Sequence, residues 1–217
     1  MIIKKYGIEL HRLTVEDIEL VRAYRNSDAI RSKMFFQSEI SASDQKKWFE
    51  TINNEFSYYF IIHWKGKKVG LIHGEIQSLP EKTTKGGVFF WDADVLASYI
   101  PVCTSVIMAD LTFILLDMQK SSAIVRDDNN IALMFNKSLG YQVISIEQKK
   151  IHLTLCKEHY LGSKARNLVK RITKDELDLA WGDMELSDDE FENKGETILP
   201  YLLTQYKMQL RHGSIKI

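Results

Sequence analysis

The sequence predicts an α+β fold, a mixed α/β architecture with a mostly antiparallel sheet flanked by helices and a C-terminal helical extension. Three observations predict it. Alternating apolar runs recur through residues 6–157, separated by segments whose apolar residues recur at helical spacing. Two such runs, over 58–64 and 68–76, are joined by Lys65-Gly66-Lys67, which reads as an antiparallel hairpin. The elements follow the order strand, two helices, three strands, helix, strand, helix, two strands, which makes one mixed unit.

Each element has its own local signal. GIELHRLT is apolar at Ile8 and Leu10 with polar residues between, a short strand. Thr14 opens T-V-E-D, a hydroxyl cap with Glu16 and Asp17 in a first turn where the helix dipole favours negative charge, so a helix is predicted over 15–24. IRSKMFFQSEIS reads as a short helix and a loop. Ser43 or Ser41 caps a second helix over 44–53, with Trp48, Phe49 and Ile52 as its buried stripe. After the hairpin and a loop holding Pro80, GGVFFWDADV supplies another strand. The apolar pattern beyond Pro101 predicts a helix over 105–118, buried on most sides. SAIVRDD is a strand, NIALMFNKSLG a helix stopped by Gly140, and 142–146 and 150–156 are the last strands. Residues 158–217 change character: helical over 166–179, acidic and loop-like in GDMELSDDEFENKGE, and helical again over 198–210.

Composition excludes several classes. The 217 residues are 45% hydrophobic and 27% charged, an ordinary globular mixture. Lys plus Arg and Asp plus Glu each number 29, so no cationic excess exists to hold nucleic acid. Cys103 and Cys156 are too few for a disulfide framework, and His63, His152 and His159 have no partner at metal-ligand spacing, so no metal is expected. The start MIIKKYGIEL lacks the apolar run of a signal peptide, and no apolar stretch approaches the roughly 20 residues of a membrane span. The expectation is a cytoplasmic protein with no membrane partner.

Two local patterns go further. NNIALMFNKSLGYQ has an Asn opening a helix and a Lys-x-x-Gly-aromatic group closing it, and YRNSDAIRSKMFFQSEIS is followed by DQKKWF. With the element order, they resemble the GNAT superfamily of N-acetyltransferases over residues 6–157. The second pattern is similar to the branch of ribosomal-protein acetyltransferases and nucleotide-linked amino-sugar acyltransferases. The resemblance implies an acyltransferase domain over 1–157 and acyl-CoA as co-substrate. It also implies a splayed sheet, in which two neighbouring strands part and the pantetheine arm lies in the gap. That places the arm beside residues 89–94, including Trp91, and 124–126, including Arg126, with Asn129 opening the helix beyond. The reaction is direct attack of a neutral amine on the thioester, which requires alignment, a proton acceptor and oxyanion stabilisation.

Departures from the family pattern are specific. The glycine-rich pyrophosphate loop is replaced by YIPVCTSVIMADL, leaving the backbone amides of Val102, Cys103, Thr104, Ser105 and Val106, and the hydroxyls of Thr104 and Ser105, as the expected anion donors. Where many relatives carry a Tyr that protonates the thiolate, the spacing to Gly140 gives Asn136, which can donate a hydrogen bond but transfers no proton usefully.

The proton acceptor has two candidate pairs. His73 and Glu75 alternate on one strand and share a face, and either is a general base if that face looks into the cleft; otherwise they are a solvated pair. Asp92 and Asp94 end the FFW strand, as ammonium ligands or bases, or else as caps of the next segment. On the acceptor side the resemblance implies Arg25, Asn26 and Arg31, with Met34 and Phe35 to stack on a base or sugar, and Gln45 where the family often has His. A forked Arg grip suits a phosphate, against the alternative of solvated helix-end cations. The resemblance of the YRNSDAIRSKM region implies as acceptor a dTDP- or UDP-linked amino sugar for bacterial surface glycans. A protein amine acetyltransferase and a non-catalytic binding module with a decayed loop are the competing readings. In the extension over 158–217, Ile198, Leu199, Leu202 and Leu203 must cover something, either the acceptor pocket or a homodimer interface.

Overall fold

A computed structural model describes residues 2–173. Its strands are β1 (Ile2–Lys5), β2 (Ile8–Arg12), β3 (Ser57–Trp64), β4 (Lys67–Ser78), β5 (Thr83–Phe90), β6 (Lys120–Arg126), β7 (Gln142–Glu147) and β8 (Lys150–Cys156). They form one eight-stranded sheet in the order β1-β2-β3-β4-β5-β6-β8-β7. All neighbours are antiparallel except β5 and β6, which run parallel. The helices are α1 (Ile18–Asn26), α2 (Asp28–Arg31), α3 (Ala42–Ile52), α4 (Ala93–Leu96), α5 (Ile100–Asp110), α6 (Asn130–Ser138), α7 (Lys157–Leu161) and α8 (Lys164–Thr173). A π-helical turn, Leu111–Leu115, extends α5.

Side-chain alternation sorts the sheet into two faces. On one, Leu10, Tyr58, Phe60, Ile62, Ile72 and Phe90 pack against α5 through Ile100, Cys103, Val106 and Ile107, joined by Val169 of α8. On the other, Tyr59, Ile61 and Leu71 pack against Val21 of α1 and Phe49 and Ile52 of α3. Tyr160 of α7 stacks on Phe113 at 5.4 Å, and its hydroxyl donates to Asp110 Oδ1 at 2.6 Å, so α7 and α8 both reach the core. The helix expected to continue to 179 is seen as α8; the rest of that expectation and the helix over 198–210 lie outside the described residues.

Several boundaries differ from the sequence reading. β1 was not anticipated: Tyr6 and Gly7 take left-handed φ values of 57° and 71°, turning the chain back so that β1 pairs with β2. α1 begins at Ile18 rather than 15, because the Thr14 hydroxyl donates to Asp17 Oδ2 and closes a turn in place of a cap. Asp17 then accepts from Lys68 Nζ at 2.6 Å. α3 starts at Ala42 with Ser41 as its cap, accepting from the Asp44 N–H. α5 starts at Ile100, five positions ahead of the expected start at 105, since a proline is tolerated in a first helical turn and Pro101 opens this helix rather than preceding it.

The seam between β5 and β6 is short. Only Thr83–Lys120, Thr84–Ser121 and Lys85–Ser122 stand opposite one another, reinforced by the Ser122 hydroxyl donating to Thr84 O at 3.2 Å. Beyond Lys85 the strands part. β5 remains bonded to β4 as far as the Gly70–Phe90 pair, and β6 to β8 as far as Arg126–Lys150, so a wedge opens between two intact strands.

Candidate active site

The wedge exposes the β6-facing backbone edge of Gly86 to Phe90, a row of donors and acceptors without strand partners. Residues 86–89 are half-buried and Ile124 across the gap is exposed, so the slot is open to solvent. An extended amide-bearing chain can lie there as an added strand.

Beside this edge, Tyr59, His73 and Gly87 form a row across β3, β4 and β5. The His73 ring stacks on Tyr59 with centroids 4.5 Å apart and an interplanar angle of 8°. On its other side only Gly87 stands between the imidazole and the wedge, and a Cβ there would lie 2.8 Å from His73 Nε2. Any larger residue at 87 would displace the ring. Burial pushes the His73 pKa down to about 4 despite the opposing pull of Glu75, so the imidazole is neutral at neutral pH. Its Nδ1 is buried without a hydrogen-bond partner. The Glu75 carboxylate, 3.8 Å from Nδ1, is too far to accept a hydrogen bond but near enough to balance charge once the ring is protonated. Glu75 itself accepts from the Tyr59 hydroxyl at 2.5 Å and pairs with Lys85 at 2.8 Å. Burial raises its pKa, but the Lys85 and Tyr59 contacts outweigh that and hold it below the usual carboxylate range.

The other expected bases have structural work. Asp92 caps α4, its Oδ1 accepting from the Asp94 and Val95 N–H groups at 3.0 and 3.1 Å. Asp94 is exposed in the first turn of that helix. The capping alternative is thus the geometry found. Trp91 leaves the sheet just past β5, stacks on Tyr24 at 4.5 Å and donates from Nε1 to Lys68 O, so it walls the acceptor side of the wedge.

On that side Arg25 lies over the Phe89 ring at 5.9 Å, and one of its terminal nitrogens, Nη1, is buried without a partner. Gln45 is buried with its Nε2 also unpartnered. Asn26 and Arg31 are engaged elsewhere. The Asn26 amide both donates to Ile40 O and accepts from Ile40 N–H, while Arg31 pairs with Asp28 at 2.6 Å. Met34 and Phe35 belong to a loop that crosses the wedge. Arg126 of β6 donates to Met34 O at 3.1 Å and Lys150 sits over Phe35 at 5.7 Å. Arg126 is further paired with Asp128, so its role is to hold this loop and not an open donor surface.

Four of the five expected backbone phosphate donors are used within a helix. With α5 starting at Ile100, the Cys103 N–H donates to Tyr99 O and the amides of Thr104, Ser105 and Val106 lie inside the helix. The Thr104 and Ser105 side chains are buried with unpartnered hydroxyls, and burial lifts the Cys103 thiol to about 11. Val102 stays in the first turn. Asn129 caps α6 by accepting from the Ala132 N–H. Asn136 turns its amide back to Ala132 O at 2.8 Å. Among the described residues no group of three His, Cys, Asp or Glu is placed to hold a metal ion, and no helix is long and apolar enough to cross a membrane.

Sequence reasoning missed Tyr59, Lys85 and Tyr24 as partners of His73, Glu75 and Trp91 because they come from other strands and helices. The double glycine of GGVFF was a usable signal, since glycine inside a strand marks a close approach.

No protein-family model and no curated protein sequence matches the chain. Solved structures do. Spermidine N-acetyltransferase from Vibrio cholerae, in complex with CoA and spermine, is 14% identical with a TM-score of 0.63 over 72% of this chain and 99% of that one. AAC(6')-Ib in complex with paromomycin and acetyl-CoA is 11% identical, with a TM-score of 0.62 over 71% and 96% of the two chains. A domain from Methanocaldococcus jannaschii is 19% identical, at a TM-score of 0.59 over 71% and 99%. The chain therefore shares the fold of these solved acetyltransferases.

Proposed function

We propose that the chain is an N-acyltransferase that passes an acyl group from a CoA-type thioester to a primary amine. The observation that carries this is the three-register seam, which leaves the Gly86–Phe90 edge unpaired beside a half-buried histidine that is neutral at neutral pH. The neighbours support the reaction class: one was solved with CoA and spermine, the other with acetyl-CoA and paromomycin, each pairing a CoA group with a compound that bears amines.

In the proposed reaction the amine nitrogen forms a bond to the thioester carbonyl, and N–H groups of the open edge stabilise the oxyanion. The C–S bond then breaks and the thiolate takes its proton from water, which its low basicity permits. His73 accepts the nitrogen's proton after attack, when the adduct has made that proton far more acidic, and Glu75 balances the imidazolium. Arg25, the acceptor-side cation with a free donor, supports an acceptor that carries an anion, such as a nucleotide-linked amino sugar.

The test is thiol release from acetyl-CoA with spermidine, paromomycin and dTDP- and UDP-amino sugars as acceptors. Turnover with an amino sugar that falls at least tenfold in Arg25→Ala, with spermidine turnover unchanged, supports the anionic acceptor; turnover with polyamine alone removes it. The second reading, a binding module without catalysis, draws on the occupied donors at the start of α5. It predicts no thiol release with any amine.

A further inference from the structure

Among the described residues, the wedge has a primary amine of the chain's own at its apex. Lys85 stands in the last pair before β5 and β6 part, opposite Ser122, and on its other side it is opposite Glu75 of β4. Alternation along β5 puts it on the face that carries Tyr59, His73, Glu75 and Gly87, two residues short of Gly87 on the open edge. The amine is held there without being enclosed. Its Nζ pairs with Glu75 Oε2 at 2.8 Å, and the other Glu75 oxygen lies 3.8 Å from His73 Nδ1, so a single carboxylate links the amine to the ring that takes a proton in the proposed reaction. The Lys85 side chain is nevertheless 48% exposed, and Ser122 and Ile124 across the gap are exposed too, which leaves its head room to leave Glu75. Two residues of strand advance about 6.6 Å, and a four-carbon lysine stem reaches about as far, so a swing along β5 carries Nζ over Gly87 and the edge of the wedge. Gly87 has no side chain to stand in the way. Other lysines on this face are further from the opening. Lys120 pairs with Thr83 at the closed end of the seam, and Lys150 sits at the mouth over the Phe35 ring.

We infer that Lys85 is a self-acylation site, whose amine takes the acyl group from the thioester in the wedge when no acceptor is bound. This rests on the reading of the wedge as a thioester site. The Lys85 ammonium first gives one proton to solvent. Nζ then forms a bond to the thioester carbonyl carbon, His73 takes a second proton from the nitrogen, directly or through water, and returns it to solvent, and the C–S bond breaks. The thiolate picks up a proton from water, leaving an amide on Lys85 and the free CoA thiol. An amide carries no charge, so the acylated chain also loses the ion pair with Glu75.

The full chain is incubated with saturating acetyl-CoA and no acceptor, and acetylation is followed at each lysine by peptide mass spectrometry. Lys120 and Lys150 report the background of direct reaction with acetyl-CoA. Lys85 is expected to be labelled at least about tenfold faster than either, at a rate per chain that does not change on dilution, because the amine and the thioester are held on one molecule. His73→Gln is expected to slow the labelling of Lys85 alone, by about tenfold or more. Acceptor-free thiol release should end at about one equivalent per chain and be missing in Lys85→Arg, which keeps a cation for Glu75. Labelling of Lys85 at the rate of Lys120 and Lys150, or labelling unchanged by His73→Gln, overturns the inference. If amine acceptors still release thiol in a parallel assay, the transferase reading stands without it; if no amine does, both fail.

Discussion

The two halves of the sheet are built to different standards. From β1 to β5 helices cover both faces, and Phe60, Ile61 and Ile62 are wholly shielded from solvent. From β6 to β7 the packed cluster lies on the α6 face alone, while Ile124, Ile144 and Ile146 stand 49%, 63% and 66% exposed. The first half is a rigid wall. The second is a thinner panel, joined to it by three residue pairs, by the loop across the wedge and by Leu155 of β8 packing with Phe113 and Tyr160. The base candidates sit on the wall, where burial can tune them, and the gap opens where the panel begins.

The comparison can be broken by stability measurements. Phe60→Ala, in the wall, is expected to cost about 3–5 kcal/mol in urea unfolding, through lost burial and an unfilled cavity. A loss below about 1 kcal/mol would show that the wall is not the stable half.

His73 gives the next effect, of up to about 3 kcal/mol, from a pKa lowered from 6.5 to about 4. The sign follows from proton counts. Above pH 6.5 the ring is neutral both folded and unfolded, so burial carries no penalty. As pH falls towards 4 the unfolded chain binds a proton that the folded one does not, and stability is lost across that window. His73→Gln should flatten this slope, and an unchanged slope removes the lowered pKa of the ring. The same variant is expected to slow turnover about 100-fold at neutral pH and less at high pH, where solvent base replaces it.

Asp92→Ala is expected to cost about 1 kcal/mol through loss of the α4 cap. Its rate should fall by the same factor at neutral and high pH; a loss confined to neutral pH would return Asp92 to a base role. Smallest of all, Ile146→Ala in the panel should change stability by less than about 0.5 kcal/mol. A larger cost would mean that something covers β7 in solution.

Much of the fold could be read from the chain because its signals were local. Alternation over 58–64 and 68–76 gave the central hairpin, and Asn129 and Gly140 bounded α6, with Gly140 at a φ of 101° that few other residues adopt. β1 lies ahead of the first strand expected from GIELHRLT, and its Lys5 is only 5% exposed. The His73 and Glu75 pair was legible from its spacing of two, but not which of the two is neutral, because Tyr59 and Lys85 arrive from neighbouring strands. The donor side was misread for one reason: Pro101 was taken as a boundary when it belongs to the first turn of α5. That error moved the supposed free amides into the middle of a helix.

The loop that carries Met34 is tied on both banks of the wedge, to α1 through Asn26 and Arg22 at Ile40, and to β6 through Arg126. On the proposed reaction, such a crossbar would give the acceptor the α1 and α3 side and the thioester the strand edge. Separate doors would then let both reactants be bound at once. Initial-rate plots should therefore intersect, as they do when both substrates are on the protein together.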